Sequence, residues 1–428
     1  MKDLIYKNLT SVALFLLIAK MIGALKEVVL AEKYGTSALV DSYVYALAFV
    51  NWPVSLWCGV ISVVLIPIAV KIHQRSVSES VLFFREVLGL SILAGILFVI
   101  FTIVSFYLMN EKIGVGEAKE IEFIKDYFQY LVFFGIIGGT LSIWLMALGS
   151  NINTLLEATP SFVLMIIILI PEKYIPMNIF IGVVAGYLIH LLLLFLVVNN
   201  RFGIERPSFY MRSKEWTLFF KSAGILALGQ FFLGSTEIID NYFAFDFGHG
   251  SISSLSYGNR VISLLTGLTS VVILRSTLPV FSKENLDDAE IKHNLFYWSK
   301  VIFIIGVISI AIGQIFAHEL VLILFERGSF TSEDTMNVAK IVQYGMFQVP
   351  FFGLSMIFVS YFASRFQYKV IFYSAMLAVF TKIALNYVLI DIVGLAGIAL
   401  SWTGVYLLNS IFFYVYFEVY KNEHIAIK

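Results

Sequence analysis

The sequence predicts an all-α polytopic membrane protein, with about twelve transmembrane helices in two parallel six-helix lobes around a central cavity. Three observations predict it. Mean hydropathy is +0.89 and only 14% of the 428 residues are charged, too few to clothe a soluble chain of this size. The apolar runs 88–109, 179–198, 301–316 and 393–417 are near or above the ~20 residues that cross a hydrocarbon core. Finally, the chain repeats itself. Tyr34-Gly35-Thr36-Ser37 leads through Asp41, Tyr43 and Leu47 to Pro67 and Lys71, and Phe247-Gly248-His249-Gly250 leads through Ser254, Ser256 and Arg260 to Pro279 and Lys283. The offset of about 212 residues is the scale of a duplicated domain rather than a solenoid repeat. Phe133-Phe134-Gly135 recurs as Phe351-Phe352-Gly353 at a slightly larger offset. A duplicated, very apolar chain suggests a transporter with its substrate between two lobes.

Taken in order, the expected span cores are 9–25, 40–70, 86–109, 126–148, 156–170, 179–198, 216–243, 252–280, 297–318, 338–362, 369–390 and 393–417, cut where turn residues interrupt the apolar runs. Lys2 and Lys7 precede the first. No small-residue cleavage site follows and Lys20 interrupts the run, so a retained first helix is expected rather than a signal peptide. The second core is long and contains Pro53, which predicts a broken or bent helix. The fifth is short and starts near Pro160. The lobes are expected at 1–200 and 216–428, joined by a basic cytoplasmic connector at 201–215.

Orientation follows from lysine and arginine placement. Lys71 and Arg75 follow the second core, Arg201, Arg206, Arg212 and Lys214 the sixth, and Lys283 and Lys292 the eighth. Arg365 and Lys369 follow the tenth, and Lys421 and Lys428 the last. All fall on the side of Lys2 and Lys7, which predicts cytoplasmic termini. An even number of spans per half makes the repeats parallel.

Composition also excludes. Net charge is zero, so no global field attracts nucleic acid. Cys58 is the only cysteine, which rules out an intrachain disulfide and a cysteine metal cluster. The six histidines are scattered without metal-site spacing, and no Walker-type phosphate loop occurs. No cofactor is expected. Any pumping draws on sodium, protons, the membrane potential or substrate supply. A membrane enzyme would need an acid–base or nucleophile pair, and none has clear spacing.

Charges inside spans are costly and by default face a cavity or a partner. Lys20, Lys26 and Glu27 lie near the first core, Asp41 at the start of the second, Glu237 and Asp240 in the seventh, Arg260 and Arg275 in the eighth, and Lys382 in the eleventh. Lys20, Lys26 and Arg260 are the candidate anion site, since cations facing a cavity suit a diphosphate. The plainer alternative places Lys26 at the membrane surface beside Glu27 and leaves Arg260 to neutralise an acid. Glu237 and Asp240, three apart, share a helix face and suit a sodium ion or a proton. Lys382 and Asn386, four apart, are expected to face them. A lysine there would be a built-in counter-cation and argues against a sodium site unless it moves away; a structural salt bridge is the alternative. Arg275 is expected to snorkel toward the cytoplasmic face.

The segment Lys20-Met21-Ile22-Gly23-Ala24-Leu25-Lys26-Glu27, followed by Tyr34-Gly35-Thr36-Ser37-Ala38-Leu39-Val40-Asp41, carries a resemblance. So do Ser256-Tyr257-Gly258-Asn259-Arg260 with Leu278-Pro279, and above all the run Leu324-Phe325-Glu326-Arg327-Gly328-Ser329-Phe330-Thr331-Ser332-Glu333-Asp334-Thr335 with Pro350 and Phe352-Gly353-Leu354 after it. Together they resemble the MurJ/MviN family of lipid II flippases. That family is part of the MOP exporter superfamily, which also holds Wzx-type oligosaccharide flippases and multidrug (MATE) exporters. The resemblance covers nearly the whole chain in order. It implies two six-helix lobes around a cavity, a bacterial cytoplasmic membrane, and a polyprenyl-diphosphate-linked glycan as substrate, with no enzymatic step. Lys20 and Lys26 stand where the family usually has arginines, keeping charge without the bidentate fork; Asp41 and Arg260 match directly. Lys20, Lys26 and Arg260 are thereby expected to bind the diphosphate, and Asp41 and Glu27 to form switching ion pairs. Two departures point away from lipid II itself, toward an O-antigen or capsule repeat unit. The stretch Val50-Asn51-Trp52-Pro53-Val54-Ser55-Leu56-Trp57-Cys58-Gly59 lacks the family's charges, and two C-terminal helices usual in the family are expected to be missing. A cation-coupled multidrug exporter is the reading from another class; it would use Glu237 and Asp240, with aromatics, to hold organic cations.

Overall fold

The computed structural model describes residues 2–108, 118–150, 152–203, 206–281, 288–365 and 367–426. Lys283, Lys428 and residues 109–117 lie outside the described residues, as do the side chains of Lys2, Lys7, Arg275, Leu278, Pro279 and Lys421. Every regular element among the described residues is helical. In chain order these are α1 (Lys2–Tyr34), α2 (Ala38–Arg75), α3 (Val77–Leu108), α4 (Ala118–Phe123), a π-helical turn (Ile124–Phe128), α5 (Gln129–Ala147), α6 (Ile152–Leu156), α7 (Thr159–Leu169) and α8 (Asn178–Phe202). There follow α9 (Trp216–Phe245), α10 (Ser251–Phe281), α11 (Asp288–Phe325), α12 (Ser332–Met346), α13 (Val349–Ser364), α14 (Tyr368–Val393) and α15 (Ala396–Ala426).

Among the described residues, eight helices are long and apolar enough to cross a membrane, or nine if α12 and α13, bent by 47°, form one span. The expected count of twelve is not reached on that test; α1, α10 and α9, outside it, are 33, 31 and 30 residues long. The tenth expected core is thus two helices rather than one, with Pro350 in the first turn of α13, where a missing N–H costs no helical bond. Conversely, the helix expected to be broken or bent at Pro53 is not broken there. α2 runs on through Pro53 and Pro67, because one lost rung in a long ladder is tolerated where a neighbour packs on it. A Cβ on Gly135 of α5 would come within 2.7 Å of Val54. α1 reaches Tyr34, so Lys26 and Glu27 lie inside a helix and not beyond its end.

Local chemistry sets the ends. Gly35, at φ 57°, closes α1, a left-handed conformation that glycine adopts without penalty. Ser37 then caps α2 by accepting from the Val40 N–H. The repeated segment does the same before α10, with Gly248 at φ 90° and Gly250 at φ 83°. Thr331 and Asp334 form a reciprocal capping box on α12, with Asp334 Oδ2 accepting from the Thr331 N–H at 2.7 Å.

The chain divides into two compact units, Met1–Gly234 and Ser235–Lys428; α9 begins in one and ends in the other. The same neighbours recur in each. In the first unit α5 packs on α2, α3 and α8, and α8 on α7; in the second α13 packs on α10, α11 and α15, and α15 on α14. Both Phe-Phe-Gly copies put their glycine at a helix contact, Gly135 against Val54 and Gly353 against Ile302, as close helix approach in lipid requires. Buried hydroxyls bridge other seams of the same two helices: Ser91 to Thr140 at 2.9 Å between α3 and α5, and Thr277 to Ser360 at 2.9 Å between α10 and α13. Aromatic and branched side chains fill the rest, including Phe83, Phe84, Leu141 and Trp144 in one unit and Ile302, Ile357, Phe362 and Phe413 in the other. The apolar stripes left exposed, such as Leu93, Ile96, Leu97 and Ile100 on α3 and Ile304, Ile305, Ile308 and Ile312 on α11, suit contact with lipid.

Candidate functional site

The second unit holds a closed polar cluster in an otherwise apolar interior. Lys382 on α14 is 0% exposed and Asp240 on α9 is 5% exposed. The lysine ammonium lies 2.9 Å from Asp240 Oδ1 and donates to the Ile398 carbonyl at 2.6 Å and to Ser401 Oγ at 2.7 Å. Its three N–H bonds thus have three oxygens. The Trp402 ring lies 4.5 Å away from the nitrogen to its centroid. Asp240 accepts in addition from Asn386 Nδ2 at 3.4 Å and from Trp402 Nε1 at 3.0 Å, while Ser401 donates to Asn386 Oδ1 at 2.7 Å. Such a buried pair persists only when its remaining hydrogen-bonding capacity is met.

Of the four residues expected to face one another, the structure brings together Asp240, Lys382 and Asn386. Glu237 is turned elsewhere: it is exposed on α9, and the strongest charge acting on it is Arg260, ahead of Asp240. A spacing of three leaves two side chains ~60° apart around a helix, enough for one to enter the core and the other to miss it. Arg260 is itself exposed on α10. Ser401, Trp402 and the Ile398 carbonyl were not legible as partners. A serine and a tryptophan in an apolar helix carry no signal of their own, and a main-chain carbonyl carries none at all.

In the first unit the expected residues sit on α1 and the start of α2. Lys26 is 7% exposed and its ammonium lies 2.6 Å from Glu27, with the Tyr43 ring centroid at 6.0 Å. Asp41, in the first turn of α2, is 1% exposed, and an acid there favours the helix N-terminus. Lys20 is exposed, and Glu157 is an acid that feels its charge. Nearly two turns beyond Glu27, Lys33 donates to the Ile168 and Ile170 carbonyls at 2.5 and 3.2 Å, which with Asn178 closes the open end of α7.

A further buried carboxylate holds the connector. Glu86 on α3 is 1% exposed and accepts from the Arg212 and Ser213 N–H groups at 2.9 and 3.2 Å and from Trp216 Nε1 at 2.6 Å. Arg85 beside it donates to the Arg206 carbonyl, and the Ser208 N–H returns a bond to the Arg85 carbonyl. The basic connector is therefore stitched to α3 through main-chain groups that its composition did not reveal.

Comparison with known proteins agrees with this architecture. A probable lipid II flippase MurJ of Buchnera aphidicola is 23% identical over 382 residues, covering 84% of this chain and 73% of that relative. A solved lipid II flippase MurJ, in an inward closed conformation, superposes with a TM-score of 0.76 at 19% identity, covering 96% of this chain and 87% of the other. An inward-facing MATE multidrug resistance transporter of the MOP superfamily does so at 0.72 and 12% identity, covering 93% of each. At these identities the likeness is one of fold. The family model for lipid II flippase MurJ matches residues 30–425, and the chain belongs to that family.

Proposed function

We propose that this protein moves a polyprenyl-diphosphate-linked saccharide, lipid II or a related lipid-linked glycan, from the cytoplasmic to the outer leaflet by alternating access. The observation that carries this reading is the family match over residues 30–425. The protein would sit in a bacterial cytoplasmic membrane with both termini cytoplasmic, and would act as a transporter without chemistry of its own. Lys20, Lys26 and Arg260 bind the diphosphate. In a site of low dielectric a cation attracts phosphate far more strongly than in water, and lysines serve as point charges where arginine would add a fork. Glu27, already against Lys26, and Asp41 hold these cations when the substrate is away. Sodium, protons or the membrane potential supply the drive.

A multidrug exporter of the same fold is less favoured by the geometry. It would need acids open to organic cations, whereas Asp240 is enclosed with Lys382 and Glu237 has Arg260 as its neighbouring charge. A capsule or O-antigen repeat unit remains the second reading for one reason. The stretch from Val50 to Gly59 carries no charge; there Trp52 donates to the Phe231 carbonyl and Trp57 to Thr140.

The test is complementation of cells depleted of their own lipid II flippase. Growth with this protein and lysis with an equally expressed Arg260→Ala variant would support lipid II transport through a cationic site. Lysis with a membrane-inserted, folded wild type counts against lipid II and directs the same assay to O-antigen and capsule precursors.

A further inference from the structure

We propose that the cluster around Lys382 is a monovalent-cation site that this chain fills with its own ammonium group, so that the second unit neither needs nor admits a free sodium or potassium ion there. The proposal concerns that unit alone and holds whichever lipid is carried. The cage around the nitrogen is what a small cation asks for. Asp240 Oδ1, the Ile398 carbonyl and Ser401 Oγ converge on one point, from a carboxylate, a main-chain carbonyl and a hydroxyl, the hard oxygen donors that alkali and alkaline-earth ions take. Asn386 Oδ1, bonded to Ser401, supplies a further oxygen beside them. One carboxylate balances one positive charge. The distances, 2.6 to 2.9 Å, are those of charge-assisted hydrogen bonds to nitrogen and lie at or above the upper end of the ~2.3–2.6 Å of calcium–oxygen bonds. The ammonium, tethered through its stem to α14, is the occupant for which the cage is set.

An ordinary salt bridge would require only the acid. Here every ammonium hydrogen ends on an oxygen, and the acid keeps two further donors, Asn386 and Trp402. Those donors stay when the lysine is cut back, so the carboxylate is left oriented around a vacated point, where an entering cation restores its charge partner. Lys382→Ala therefore turns a filled site into an open one. The atoms it removes correspond to n-propylammonium, which should refill the cage as well as, or better than, an inorganic ion.

The experiment is thermal unfolding of the purified protein in detergent, in sodium, potassium or choline chloride at equal ionic strength, with equilibrium binding of radioactive sodium alongside. The wild type is expected to melt at one temperature in all three salts and to bind no sodium saturably. Lys382→Ala is expected to melt lower in choline chloride and to rise saturably with sodium, potassium or n-propylammonium, a response that the added Asp240→Asn change abolishes. Saturable sodium binding by the wild type that Asp240→Asn removes would overturn the proposal, since the cage would then hold a free ion in the presence of the lysine. So would a folded Lys382→Ala protein indifferent to all three cations. If Lys382→Ala cannot be recovered folded, even when expressed with n-propylammonium, the wild-type binding measurement decides alone, in either direction.

Discussion

The two units bury charge in different ways. The second encloses a full ion pair, Asp240 with Lys382, inside a cage of hydroxyl, amide and carbonyl groups. The first encloses a pair of neighbours on one helix, Lys26 with Glu27, and a carboxylate, Glu86, against two main-chain N–H groups and an indole, and leaves Lys20 exposed on α1. A buried pair ties together the helices that supply its members, here α9, α14 and α15. A carboxylate held by N–H donors fixes a loop to a helix. An exposed cation on a membrane helix does neither; it is available to an anion. The duplication thus preserved helix neighbours while the polar groups diverged.

The largest effect that would break this comparison belongs to Asp240. Asp240→Ala strands a fully buried ammonium, and removal of one member of such a pair costs about 3–5 kcal/mol. The unfolding midpoint in detergent should fall steeply. The double variant Asp240→Leu/Lys382→Met should be more stable than Asp240→Ala alone, because no charge is left unpaired. A double variant no better than the single one would mean that the pair does not act as a unit.

Glu86 ranks second. Glu86→Gln keeps one acceptor for three donors and loses the charge that strengthens each bond, a cost of about 1.5–3 kcal/mol. Its signature is local. Protease cutting within the connector, or hydrogen exchange at Arg212 and Ser213, should rise well before global unfolding. Equal sensitivity of the second unit would show that the carboxylate holds more than the loop. Lys33→Met should act below that range, about 0.5–1.5 kcal/mol, because the Ile168 and Ile170 carbonyls lose the ammonium but keep Asn178 Nδ2 as a donor at 3.4 and 3.0 Å.

How far these sites could be read from the residues follows the same physics. Apolar runs announced the membrane class because bilayer thickness sets a length that composition must meet. The duplication was legible at Gly35 and at Gly248 and Gly250, whose left-handed backbones leave a mark in sequence. Asp240, Lys382 and Asn386 were legible as a group because helical spacing places residues on faces. Spacing could not decide that Glu237 would miss the cluster, since a helix rotation of a few tens of degrees settles it. Nor could it supply the Ile398 carbonyl, Ser401 and Trp402, which reach Lys382 through the packing of α15 on α14. The same holds for Pro53. A proline signals a break only where no neighbour covers the freed turn, and the neighbour, α5, lies some eighty residues on.

The smallest effect on stability is expected at Lys20, and it sharpens the comparison most. Its side chain is exposed and takes no part in a buried cage, so Lys20→Ala should leave the unfolding midpoint within the ~0.5 kcal/mol typical of surface changes. Substrate handling should nonetheless suffer, because a diphosphate loses one of the cations proposed to meet it. Lys20→Arg separates charge from fold: it keeps the cation, adds a bidentate fork, and should match or exceed the wild type in complementation, whereas Lys20→Gln should fail at normal expression. A Lys20→Gln protein that complements fully would remove Lys20 from the substrate site and leave Lys26 and the exposed Arg260 as the cations to test next. A Lys20→Ala protein that unfolds early would instead show that Lys20 is structural, through its neighbour Glu157, and that the division between the units is not one of function.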